Sequence, residues 1–332
     1  MMLPQQHTDV FQAWLNAEDM PHLPKTLAVG WSGGADSTAL LLALKESGYA
    51  VHAWHVDHGW RESSAQEAAY LAEQAAHWNI PFISARLTSA STRNREAEAR
   101  QGRHALFRQW SNAQNIRTLC LAHHRDDQAE TVCMRLLQGA GAGGCRGMLR
   151  ERQMGELRIV RPLLHIAARD LRHALRAAGI AWLEDPSNAD MSIWRNHIRH
   201  QLFPAILQKG EAPDTLFLRW RVQAERVACQ LDHEADVILH DLTRTGDHSL
   251  RLSWKTWKQS TPAVRARALQ KCMAQLLGDG ATPGRRHILL VESWTNKSGR
   301  GGLDLSRCRL YRESDYLHLR LHLQPVTAVC AA

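Results

Sequence analysis

Strand and helix signals that alternate through the first 140 residues, a glycine turn directly after the first strand, and a change to long amphipathic helices near residue 213 predict the fold class. They specify an α/β fold with a Rossmann-like, mostly parallel sheet, followed by a smaller α+β C-terminal domain. The expected boundary puts an N-terminal domain, ending in helices that contact a polyanion, over 1–212 and a C-terminal domain over 213–332. A length of 332 residues accommodates two domains, and 44% apolar with 22% charged residues is a globular composition.

Residues 27–31 form an apolar run that reads as a buried strand, and 36–46, stopped by Gly48, reads as a helix. The unit repeats as a strand at 50–56, a helix at 63–78, a strand at 80–85 and a helix at 96–109. A strand at 118–122 and a helix at 126–137 complete the series. Such repetition covers both faces of a parallel sheet, and ligands of these sheets sit beyond the carboxyl ends of the strands. The glycine-rich run at 139–144 reads either as a flexible connection or as a mobile loop near the site. Arg161-Pro162-Leu163-Leu164 leads into a helix at 168–178, and 207–214 reads as a linker. Beyond it, 215–242 and 261–277 are long amphipathic helices and 287–294 a short one. The polar–apolar alternation of 302–311 and 316–323 predicts a hairpin turned at Glu313-Ser314-Asp315.

The chemistry concentrates where strands end. In Ser32-Gly33-Gly34-Ala35-Asp36-Ser37-Thr38, the glycines permit backbone angles closed to other residues. The helix that follows aims unpaired N–H groups and its positive dipole end at the turn, which makes a phosphate cradle. No lysine follows, so this is not a Walker A loop. Asp36 inside an anion cradle reads as a helix cap or as a ligand for Mg²⁺ on the phosphates. His55, opening His55-Val56-Asp57-His58-Gly59-Trp60-Arg61, is either a partly buried histidine beside a turn or a contact to a base or ribose. Arg100 and Arg103 share a helix face, either solvated or aimed at a phosphate or carboxylate. Asp127 and Glu130, three apart behind His123-His124, are capping residues or a site for a cationic substrate or metal. Their order does not match a zinc hydrolase. Arg195 and Arg199, spaced i, i+4, lie on a helix that can meet nucleic acid.

A net charge of +8 points to a polyanionic partner, RNA or DNA ahead of a membrane. Seven scattered cysteines without Cys-x-x-Cys argue against a disulfide framework or zinc site and for a reducing compartment. No signal peptide is recognisable at the start and no apolar run approaches the ~20 residues of a membrane span, so the expected location is cytoplasmic.

Ser-Gly-Gly-x-Asp-Ser directly after a strand resembles the PP-loop of the ATP pyrophosphatases, which cleave ATP between the α and β phosphates. With the segments 55–61, 94–103, 123–131, 161–164, 184–188 and 195–199 in order, the first two-thirds of the chain is similar to one such family, the tRNA(Ile)-lysidine synthetases. The resemblance implies an ATP-dependent carbon–nitrogen ligase that joins lysine to C2 of the wobble cytidine of the tRNA(Ile) with anticodon CAU. The route implied is an adenylated cytidine, and the products are lysidine, AMP and pyrophosphate, with codon reading changed from AUG to AUA. It implies ATP and Mg²⁺ on Ser32, Gly33, Gly34, Ala35, Asp36 and Ser37, with His55 beside the nucleotide and Asp36 as both metal ligand and catalytic group. His123, Asp127 and Glu130 fall around the lysine and the reacting centre, the two carboxylates on its ammonium groups. Arg103 becomes the electropositive group near the phosphates or the activated base, and Arg195 and Arg199 contact the tRNA. L-lysine and the tRNA are then the partners, no membrane is involved, and a homodimer stays open. Asp57 and Trp60 depart from the family's usual second-strand motif. Two alternatives remain. A thiolating PP-loop tRNA enzyme is disfavoured by the absence of Cys-x-x-Cys, and a non-catalytic ATP-sensing module by the retention of Asp36 and the acidic pair.

Overall fold

Helix α1 (Gln5–Ala13) precedes β1 (Thr26–Gly30), in which Leu27, Ala28 and Val29 are fully buried, and α2 (Ala35–Glu46). The unit recurs as β2 (Ala50–Asp57), α3 (Ser64–His77), β3 (Phe82–Arg86), α4 (Arg95–Gln114), β4 (Thr118–Cys120) and α5 (Arg125–Leu137). A short α6 (Ala142–Cys145), a hairpin of β5 (Glu151–Met154) and β6 (Leu157–Val160), and α7 (Ala168–Ala177) follow. Next, α8 (Trp194–His197), a π-helical turn (Ile198–Leu202) and α9 (Phe203–Gln208) run on without a break, ahead of the long α10 (Pro213–Ile238). The computed structural model describes residues 5–16, 20–57, 59, 64–87, 95–184, 190–278, 283–305 and 307–322. They fall into two compact units, Met1–Val222 and Gln223–Ala332.

The first unit is built on a six-stranded sheet of order β3-β2-β1-β4-β6-β5, parallel except for the edge strand β5. The order reverses at β1, which pairs with β2 on one side and β4 on the other. The loops leaving β1 and β4 therefore open into one crevice, the usual ligand position in such sheets. On one face α2 is submerged from Ala35 almost to its end, with Leu40, Leu41 and Leu44 at zero exposure, packed against α1 and α7. A helix apolar on every side belongs in a core, and this one carries the glycine turn at its N-terminus. On the other face Trp54 stacks on Phe107 of α4 at 6.1 Å and meets Trp110 edge-on. A smaller cluster holds Ala129, Val132 and Cys133 of α5 against Ile198 and Phe217.

The second unit has a five-stranded antiparallel sheet, β7 (Thr243–Arg244), β8 (Ser249–Ser253), β9 (Gly302–Leu305), β10 (Cys308–Glu313) and β11 (Tyr316–Leu321), ordered β7-β8-β11-β10-β9. Helices α11 (Trp254–Gln259), α12 (Pro262–Leu277) and α13 (Arg285–Asn296) enclose its core around Trp254, Trp257 and Trp294. The expected hairpin is present, but its first arm is two strands: Leu305 and Cys308 face each other across a tight turn. Among the described residues no helix is long and apolar enough to cross a membrane.

Candidate active site

The loop after β1 is fixed by its own hydroxyls. Trp31, buried beneath it, donates its Nε1–H to Thr38 Oγ1 at 3.0 Å, and its main-chain N–H goes to Trp54 O at 2.9 Å. Ser37 Oγ donates to Gly34 O at 3.0 Å and accepts from Ser32 N at 3.2 Å, and the Ser32 and Ser37 hydroxyls lie 3.1 Å apart. Gly33 has φ +84°, and a Cβ there would stand 2.8 Å from Leu71 Cδ2 and 2.9 Å from Leu183 Cδ1, so both backbone and space require glycine.

Gly34, extended at φ −70° and ψ 164°, is the N-cap of α2 and supplies no side-chain cap. Asp36 lies one residue inside the helix, which excludes its reading as the cap. Its Oδ1 is buried with no hydrogen-bond partner, while Oδ2 lies 3.5 Å from His124 Nε2. An uncapped helix start beside an orphaned carboxylate oxygen fits phosphate oxygens and one hard cation. Among the described residues no group of three or more His, Cys, Asp or Glu forms a metal centre by itself. Mg²⁺ fits that setting, because it is commonly held by one or two carboxylates plus substrate phosphates.

His55 sits under the loop, with Nδ1 2.9 Å from Trp31 O and its ring stacked on Phe82 at 6.2 Å. Asp57 closes the following turn: Oδ1 accepts from Gly59 N at 2.7 Å and Oδ2 from Ser64 Oγ at 3.2 Å. Positions 58, 60–61, 94 and 185–188 of the sequence motifs lie outside the described residues.

The loop after β4 brings the second half of the site. His124, 3% exposed, is the N-cap of α5; its main-chain N–H donates to Asp127 Oδ2 at 3.1 Å. Its ring lies 3.5 Å from Asp36 Oδ2, 3.5 Å from Asp126 Oδ2 and 3.4 Å from Asp127 Oδ2. Burial alone would lower the imidazole, but hydrogen bonds to Asp126 and Asp36 and the charges of Asp127 and Asp36 outweigh it and lift the group to about 10. Through these contacts His124 ties the cradle carboxylate to α5. Asp126 also accepts from Ala168 N at 2.8 Å, anchoring the start of α7. Burial works against its charge, yet His124 and that N–H hold it well below the usual carboxylate range. The sequence placed His124 only with a site for a cationic substrate or metal and gave Asp126 no role. Their adjacency to Asp127 was visible, but no spacing rule links them to Asp36, which lies on another strand's loop.

His123 behaves in the opposite way. Burial pushes it down to about 4, opposed by Asp127 and helped by the guanidinium groups of Arg161, Arg195 and Arg103, so it is neutral at pH 7. Its Nδ1 is buried without a hydrogen-bond partner. Arg103 is itself pushed down, by burial and then by Arg100. Arg103 and Asp127 both lie near enough to His123 to act on its charge.

Glu130 and the two late arginines meet each other. Glu130 is 1% exposed; Arg199 donates Nε–H to Oε1 at 2.6 Å and Nη2–H to Oε2 at 3.1 Å, and Arg195 Nε stands 2.9 Å from Oε2. Arg195 also reaches Thr131 Oγ1 at 3.1 Å, and Arg199 lies 3.7 Å from Asp127 Oδ1. Burial raises Glu130 while both arginines oppose it; for Arg199, burial is outweighed by Glu130 and Asp127, and the guanidinium rises. The expected lysine carboxylate and the expected RNA arginines form one internal cluster, and Asp127, its side chain 14% exposed, lies between that cluster and His124.

A sequence family described as a PP-loop domain matches residues 7–206. The tRNA(Ile)-lysidine synthase of Chlamydia pneumoniae is 37% identical over 206 residues, 61% of this chain and 63% of that protein. That of Chlamydia abortus is 35% identical over 236 residues, 70% of this chain and 73% of that protein. That of Thermus thermophilus is 36% identical over 278 residues, 82% of this chain and 52% of that protein. The chain spans between 52% and 73% of the length of these three relatives. Among solved structures, the U34-tRNA thiolase NcsA from Methanococcus maripaludis matches with a TM-score of 0.52 at 14% identity, over 67% of this chain and 79% of that one, a likeness of fold alone.

Proposed function

The chain belongs to the tRNA(Ile)-lysidine synthase family of PP-loop proteins, and from that premise we propose that it ligates L-lysine to C2 of the wobble cytidine of the tRNA(Ile) with anticodon CAU. The observation that carries the reading is the unpartnered Asp36 Oδ1 beside the uncapped start of α2, facing the acidic first turn of α5. The reaction needs two exchanges. Cytosine O2 attacks the α-phosphorus of ATP and pyrophosphate leaves; the lysine ε-amine then attacks C2, AMP leaves with O2, and the amine gives up a proton.

The amide ends of α2 with Ser32, Gly33, Gly34, Ala35 and Ser37 hold the phosphates, and His55 keeps Trp31 and the loop in place beside the nucleotide. Asp36 would hold Mg²⁺, which supplies charge to offset that developing on the departing pyrophosphate. Asp127 orients the lysine by its ammonium group. His123, neutral and with Nδ1 unpartnered, offers a hydrogen bond to the reacting base without adding charge. Arg103, near enough to act on His123, supplies positive charge on that side. Glu130 shapes the lysine side through Arg195 and Arg199, which fix the helix that borders it. The domain over 1–212 then carries the chemistry, and 213–332 binds tRNA.

A thiolating reaction gains no support from the cysteines. Cys120, Cys133, Cys145, Cys272 and Cys308 are buried, and burial pushes Cys120 up to about 12. The deciding experiment is pyrophosphate release from ATP with Mg²⁺ and unmodified isoleucine tRNA bearing CAU, with and without lysine, against a methionine tRNA. Lysine-dependent turnover on the isoleucine tRNA alone is expected; turnover that ignores lysine or the tRNA's identity refutes the assignment.

A further inference from the structure

The first turn of α5 has a second side. Asp127 and His124 face the cradle, whereas Arg125 and Gln128, one helical turn apart, line a separate cavity of about 430 Å³. Two more arginines reach it from other elements: Arg150, ahead of β5, and Arg221, on α10. His165 adds a further nitrogen donor, and no carboxylate is among the lining residues. The volume lies within the range of ordinary ligand sites, about 300–1,000 Å³.

The cavity is built rather than incidental. Gln128, 3% exposed, donates to Met148 O at 2.7 Å and accepts from Met148 N at 2.6 Å, which clamps the strand-entry loop to α5. Gly147 permits that approach, with φ +71° and no room for a Cβ against Gln128. Arg125 is steered by Asp214 at 3.0 Å. Leu218 and Val222, on the same face of α10 as Arg221, give one wall apolar character. Three guanidinium groups line one cavity that has no carboxylate among its lining residues, and guanidinium geometry suits a tetrahedral oxyanion.

We propose that this cavity is a subsite for a phosphodiester group of the RNA that carries the reacting nucleotide. The inference rests on the function proposed above. Arg195 and Arg199, the arginines that sequence spacing offered to the RNA, are held by the buried Glu130; Arg125, which also pairs with Asp214, lines this cavity together with Arg150 and Arg221. Arg125 lies between His124 and Asp126 in the chain, so a phosphate gripped here is linked to the reacting centre by one rigid helical turn. Such a contact fixes register and adds affinity without reading sequence.

The test measures binding of unmodified isoleucine tRNA to the full chain over a range of salt, for the parent protein, Arg221→Gln, and Arg150→Gln combined with Arg221→Gln. Arg221→Gln changes a half-buried helix position, and thermal denaturation with ATP binding reports that the site is intact. The expected result is an affinity loss of about tenfold or more in the double variant, with the log–log salt slope reduced by about one and ATP binding unchanged. If the parent binds this tRNA and both variants match it in affinity and slope, the subsite is refuted and the proposed function stands. If the parent binds no tRNA, both fall. Weakened binding of inorganic pyrophosphate in the variants, with tRNA affinity unchanged, assigns the cavity to a small anion and overturns the RNA assignment.

Discussion

Removing the Arg199 side chain probes the internal cluster most directly. Glu130 is 1% exposed and takes two hydrogen bonds from Arg199, at 2.6 and 3.1 Å, so Arg199→Ala strips both from a carboxylate with almost no access to water. Breaking a fully buried pair from one side costs about 3–5 kcal/mol. Two features reduce this here: the Arg199 side chain is 32% exposed, and Arg195 remains 2.9 Å from Oε2. The expectation is a loss of about 2 kcal/mol, or about 4–8 °C in the melting of a unit this size. Thermal denaturation of Arg199→Ala, Glu130→Gln and the double variant provides a cycle, and a coupling of at least about 1 kcal/mol is expected between the two. Melting that is unchanged in Arg199→Ala, with weakened tRNA binding and a smaller salt slope, would refute the internal role and return Arg199 to the RNA.

Asp36→Asn should lower pyrophosphate formation by about 10²-fold or more and cost at most a modest amount of stability, because Oδ1 has no partner to lose and only the Oδ2 contact with His124 is weakened; coupled pyrophosphate detection and a melting curve check both halves. Gly33→Ala should cost about 1–3 kcal/mol and abolish tight ATP binding, through its φ of +84° and the 2.8 Å approach to Leu71; calorimetric titration with ATP tests it. Asp127→Asn should raise the apparent KM for lysine with ATP binding intact; an unchanged lysine dependence removes Asp127 from that role. Burial, reinforced by Arg100, Arg103, Arg152 and Arg108, pushes His104 from 6.5 down to about 4. Above 6.5 the ring is neutral in both folded and unfolded chains, and as pH falls toward 4 only the unfolded chain takes up the proton, so stability is lost over that interval. Denaturant unfolding at stepped pH should show a shallower decline in His104→Gln.

The βα series was legible because each strand of the first unit up to β4 is an apolar run between turn residues, and because glycines marked the loop at the switch point. The β5–β6 pair escaped notice: Glu151–Met154 is largely exposed and carries little alternation, so its register comes from pairing with β6 rather than from its own pattern. In the second unit Leu303, Leu305, Cys308 and Leu310 continue a nearly even spacing across the turn, which hides the break between β9 and β10. The linker read at 207–214 contains the end of α9 and the start of α10, because Pro213 sits at a helix start, where it loses no hydrogen bond. At the site, residue types and spacing within one helix were informative, as for Asp127 beside His124. Pairings across elements were not. Glu130 with Arg199, 69 positions apart, is a product of tertiary packing that no local period encodes.

The enclosure of α2 bears on how the protein tolerates change. A helix wrapped by other elements along nearly its whole length has no free direction in which to slide or roll, so the turn at its head inherits the stiffness of the core. Substitutions that loosen the packing around Leu41 therefore act at a distance, blurring the position of the cradle before they unfold anything. Natural variation at those leucines is filtered twice, once for keeping the chain folded and once for keeping the cradle aligned with the first turn of α5.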